Sequence, residues 1–63
     1  MAKQIKTDTW VRLVGTLIPA HWRNRSARIV RPTDLPGHWI IVVSDGRRTD
    51  TFEVAEENVR VLD

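Results

Sequence analysis

Trp22 stands among His21, Arg23, Asn24 and Arg25, an aromatic ring surrounded in sequence by hydrogen-bond donors. An indole supplies contact area and a stacking face, and nearby guanidinium groups grip phosphate or carboxylate through paired N–H donors, so this mixture is the composition of a binding surface. A structural reading stands beside it, in which the same ring closes one end of a small core. Arg28 and Arg31 follow a few positions later, and Arg47 and Arg48 form a pair after Asp45-Gly46. Trp22, Arg23, Arg25, Arg28, Arg31, Arg47 and Arg48 are therefore the candidate partner-binding set, a basic stripe suited to an anionic partner. Arg28 and Arg31 are three residues apart, a spacing that sends them to opposite faces of a regular strand. Asp34, Asp45 and Asp50 are close enough in sequence to neutralise part of the stripe.

Groups suited to catalysis are few. His21 and His38 could serve as a base or a metal pair and Ser26 or Ser44 as a nucleophile, but no spacing sets out a triad or a ligand set. The expectation is no catalytic residue, no metal and no cofactor; an oligomeric enzyme, with a pocket shared in a closed multimer, is the third reading. Glu53, Glu56, Glu57 and Asp63 read as a solvated edge that deters strand pairing rather than as a cation site. Trp10, Trp39 and Phe52 are assigned to the core, because an aromatic cage needs several rings around one opening and usually an acid.

The positions of these residues depend on a chain of only 63 amino acids, 41% of them apolar, which describes one small domain with a modest core. With no cysteine there is no disulfide framework, thiolate metal site or cysteine nucleophile, and a cytoplasmic setting is expected. No apolar stretch reaches the length of a signal peptide or a membrane span. Residues 1–48 carry nine bases against Asp8, Asp34 and Asp45, whereas residues 49–63 carry Arg60 against five acids. The chain is a basic body with an acidic end. Eight of its ten bases are arginine, the residue that binds planar anions and stacks on rings.

Turn signals divide the chain into short strands, and no segment keeps a helical period. Residues 10–14 form a first strand with Val11 and Leu13 on one face and Trp10, Arg12 and Val14 on the other. Residues 1–9 are a flexible polar lead-in. The connection from Gly15 to Arg25 is long, and a loop of that length carries function or packs over the core. Residues 26–31 make a second strand, broken at Pro32 and Pro36-Gly37. Residues 39–43 are apolar at every position, as in a central strand covered on both faces. Residues 44–50 are a turn cluster leading into the alternating strand 51–54, and residues 55–58 suit one 3₁₀ turn closed by Asn58 in left-handed geometry. Residues 59–62 complete the set.

The order Trp10-Val11-Arg12-Leu13, Asn24, Ala27-Arg28-Ile29-Val30, Trp39-Ile40-Ile41-Val42, Asp45-Gly46 and Val54-Ala55-Glu56-Glu57-Asn58-Val59 resembles small SH3-like barrels. It is similar to free-standing SH3-like repeats, to KOW-type ribosomal and transcription modules and to small SH3-like subunits of photosynthetic complexes. The resemblance spans residues 10–62 and implies an all-β, five-stranded SH3-like barrel over 10–63 with a short 3₁₀ turn before the last strand. Two departures separate it from particular relatives: the stretch His21-Trp22-Arg23-Asn24-Arg25-Ser26 lacks the glycine that KOW modules place there, and the absence of tyrosine argues against recognition of proline-rich peptides. The expected function is a non-catalytic docking or accessory module whose arginine-rich loop surface binds an acidic protein partner or a larger complex. Nucleic-acid binding is the alternative, favoured by the arginines and the loop tryptophan and opposed by a net charge of only +2.

Overall fold

A computed structural model describes residues 5–62. Five strands form a single antiparallel sheet: β1 (Trp10–Leu13), β2 (Ser26–Pro32), β3 (His38–Ser44), β4 (Thr49–Ala55) and β5 (Val59–Val61). One 3₁₀ turn, Glu56–Asn58, precedes β5, and among the described residues no helix is long and apolar enough to cross a membrane. The order across the sheet is β4-β3-β2-β1-β5, which leaves β4 and β5 as its two edges.

Strand alternation decides which side each residue takes. Val11, Leu13, Ala27, Ile29, Ile41, Val43 and Val54 are buried together on the inner face. The sheet alone covers only one side of that apolar layer, and the long connection covers the other. Ile18 and Trp22 descend from it into the core, where Trp22 is 2% exposed. The connection is a run of tight turns, with Ile18 N–H donating to Gly15 O, Trp22 N–H to Pro19 O and Arg25 N–H to Trp22 O. Its base continues the β1–β2 ladder through Leu13 N–H to Arg25 O at 2.9 Å and Asn24 N–H to Leu13 O at 2.7 Å. Asn24 takes φ +67° there, a left-handed conformation that asparagine tolerates better than most side chains.

The structure departs from several of these expectations in part or in full. Trp10 is not a core residue: it lies 55% exposed on the outer face, because Val11 and Leu13 take the inner positions of the same strand. Trp39 and Phe52 are half-buried and pack against the core from its margin. Asn58 does not close the 3₁₀ turn in left-handed geometry; it is buried, and its amide donates to Val14 O at 3.2 Å, tying the turn to the end of β1. Of the lead-in, residues 1–4 lie outside the described residues, as does Asp63. Residues 5–9 are held, with Ile5 against the core, Asp8 N–H donating to Ile29 O at 2.8 Å and Ile29 N–H to Thr9 O at 2.9 Å.

Candidate binding face

The loop-side members of the candidate set are engaged in holding the fold. Trp22 is buried, and its Nε1–H donates to Asp50 Oδ2 at 2.6 Å, so its ring offers no open stacking face. Arg48 sits 5.6 Å above that ring and donates to the same Asp50 oxygen at 3.1 Å. The Arg23 guanidinium reaches back to Gly15 O at 3.1 Å and Ile18 O at 3.0 Å, cross-linking the loop that carries it. Arg25 and Arg47 are exposed, and the Arg47 backbone N–H donates to Asp45 Oδ1 at 2.8 Å.

Asp45 organises the β3–β4 turn. Its Oδ1 accepts the backbone N–H groups of Arg47 and Arg48, and its Oδ2 is 2.8 Å from His21 Nε2. The backbone N–H of Arg48, then that of Arg47, then His21 stabilise the charged form, so the carboxyl is held well below the usual carboxylate range. His38 has a different acidic partner, Glu53, at 2.8 Å. Among the described residues no group of three potential metal-ligating side chains comes together.

The outer face gathers the remaining arginines. β2 and β3 pair Ile29 with Ile41 and then Arg31 with Ile40, so Val30 is an extra residue in the ladder, a β-bulge. In a regular strand Arg31 would oppose Arg28 in direction. The bulge restores it to the same side, since Arg28 pairs with Val42 and Arg31 with Ile40, two residues of one face of β3. The same register places Trp10 beside Arg28 and sets Arg12 directly across from Arg60. The result is an exposed indole with Arg28 across from it and the Arg12–Arg60 pair two residues along the same face, and with Arg31 further along β2 in a groove that Asp34 and Glu53 also line. Trp10, Ser26, Arg28, Val42, Val43 and Ser44 line a shallow groove beside the ring. Among the described residues no carboxylate forms an ion pair with Arg12, Arg28, Arg31 or Arg60.

Of the residues on this outer face, the sequence had singled out Arg28 and Arg31 as candidates but not Trp10, Arg12 or Arg60. A signal for Trp10 and Arg12 was present: with Val11 and Leu13 inward, both must face the other way. No protein-family model, curated protein or solved structure matches the chain.

Proposed function

We propose that this chain is a non-catalytic docking module that holds an acidic partner on the outer face of its sheet. The observation that carries this reading is the Val30 bulge, which returns Arg31 to the face already occupied by Trp10, Arg12, Arg28 and Arg60. Four guanidinium groups and one exposed indole supply both anion contact and apolar area, the two contributions that dominate compact interfaces. The loop surface around Trp22 is the weaker candidate, because Trp22, Arg23 and Arg48 already have internal partners.

The finer architectural reading is an SH3-like barrel. The strand order with β1 between β2 and β5, the bulge within β2 and the 3₁₀ turn immediately before β5 support it.

An amide NMR titration of the labelled chain, with a polyglutamate peptide and with short oligonucleotides at low and near-physiological salt, tests the docking reading. Salt-sensitive shifts at residues 10–12, 28–31 and 60 are expected with at least one of these probes. Shifts confined to residues 21–25 and 47–48 would move the surface to the loop, and no shift with any probe would remove the docking reading. The double variant Arg28→Glu/Arg31→Glu should abolish the response while melting within about 0.5 kcal/mol of the parent, as exposed substitutions do.

A further inference from the structure

We infer that the acidic partner of the outer face is a single-stranded nucleic acid, with Trp10 as the platform on which one base stacks and the flanking arginines as its phosphate contacts. This inference rests on the docking reading and sharpens it.

The first ground is the cost of the face as it stands. Arg12 and Arg60 are paired directly across β1 and β5, where opposite Cβ atoms lie about 4.5–5.5 Å apart and like charges repel. Ordinary cross-strand pattern would set an acid against one of them. A phosphate between the two guanidinium groups converts that repulsion into two charge-assisted contacts, and each arginine presents the planar donor fork that matches a phosphate.

The second ground is Trp10. It is the one exposed aromatic among the described large apolar side chains, and its register partner on β2 is Arg28. Ser26, Val42 and Ser44 line the groove next to it, giving an apolar patch with hydroxyl groups at its side and, among the described residues, no acid in the lining. Bases stack on exposed rings without regard to sequence, and arginines beside the ring follow the backbone. An acidic segment without aromatic side chains would use the arginines equally well but leaves the indole face without a ring to stack on it.

The third ground is shape. The face is an open sheet surface crossed by β5, β1, β2 and β3, without the projecting helix or ribbon that reads a duplex groove. Splayed bases of a single strand can lie on such a surface, whereas a double helix presents its phosphates on a convex rod that meets only one row of arginines at a time.

Fluorescence anisotropy of a labelled twelve-nucleotide oligothymidylate, the same length of oligouridylate, the corresponding duplex and a polyglutamate peptide would test this. The single strands should bind more tightly than the duplex and the peptide. Trp10→Ala should weaken single-strand binding roughly 5- to 150-fold, the range that loss of one base–aromatic stack gives. Trp10→Phe should recover most of the affinity, and both variants should keep the parent melting midpoint because the ring lies outside the core. Arg12→Gln/Arg60→Gln should lower the salt slope, each lost phosphate contact removing about 0.7 from the dependence of log K on log salt. If the polyglutamate binds and the single strands do not, or if Trp10→Ala leaves single-strand affinity unchanged, the inference is overturned while the docking reading stands. If no probe binds, both are overturned.

Discussion

Trp22 donates its indole N–H to Asp50 Oδ2 at 2.6 Å, joining the loop that covers the core to the edge strand β4 across 28 positions of sequence. Asp50 pairs with Val43 on the inner side of the sheet, so its carboxylate faces the descending loop, and Arg48 donates to the same oxygen from above. One carboxylate thereby satisfies the polar atom of the largest buried side chain and neutralises an arginine. Asp50→Ala should destabilise the chain by about 1–3 kcal/mol by leaving that N–H unpaired, and Asp50→Asn by less, since an acceptor oxygen remains. Trp22→Ala should cost about 3–5 kcal/mol, enough to unfold a domain of this size. Urea unfolding followed by far-UV circular dichroism measures all three; equal midpoints for Asp50→Ala and the parent would refute the role given to this bond.

Gly15 and Asn58 meet at the other end of the same loop. Gly15 has φ +99°, and a methyl group added there would lie 2.8 Å from the Asn58 amide nitrogen. Gly15→Ala therefore combines left-handed strain with a clash against a buried side chain, and a loss of roughly 1–3 kcal/mol is expected. Asn58→Ala removes the bond to Val14 O and should cost about 1 kcal/mol. In the double variant the clash has no partner, so the combined loss should be smaller than the two single losses added together. Strict additivity in a double-mutant cycle would show that the contact is not the source of the cost.

Arg23 looks in sequence like a ligand-binding residue, yet its donors are spent on Gly15 O and Ile18 O. Arg23→Ala should lower stability by about 1–2 kcal/mol, within the range for hydrogen bonds from a charged group after allowance for solvent. Its affinity for an oligonucleotide or polyglutamate, measured below the melting midpoint, should match that of the parent. A variant that folds normally but loses that affinity would return the binding surface to the loop.

What the sequence made legible follows from which features are local. The alternation of Val11 and Leu13, the apolar run 39–43 and the Asp45-Gly46 turn specify strands and a hairpin through neighbours alone, and the strands at these positions have that origin. That Trp22 closes the core was one of two readings open in the sequence; what decides between them is not local. It depends on the loop folding over the inner face and finding Asp50, a contact that no nearby pattern announces. The sharing of one face by Arg28 and Arg31 turns on the single extra residue Val30, and neither glycine nor proline marks that position as a bulge. Arg60 becomes part of the face only because β5 pairs with β1, a topological fact rather than a spacing. The residues of the candidate face were therefore visible as types, and their assembly was not.

Acid should reveal the carboxylate that organises the β3–β4 turn. Asp45 accepts the backbone N–H groups of Arg48 and Arg47 and contacts His21, and these keep its folded carboxyl well below the ordinary range. A group whose folded pKa is depressed contributes stability that is complete above its unfolded value, near 3.8, and that disappears progressively as pH falls below it. Asp45→Asn keeps a side-chain oxygen for the turn but cannot be protonated in this range. The variant should be less stable than the parent at pH 5–6, and the gap should narrow as pH falls from about 4 towards 2. Melting midpoints across pH 2–6 for both chains measure it. Parallel curves, with a constant gap down to pH 2, would mean that the charge on Asp45 contributes nothing and that the turn is held by hydrogen-bond geometry alone.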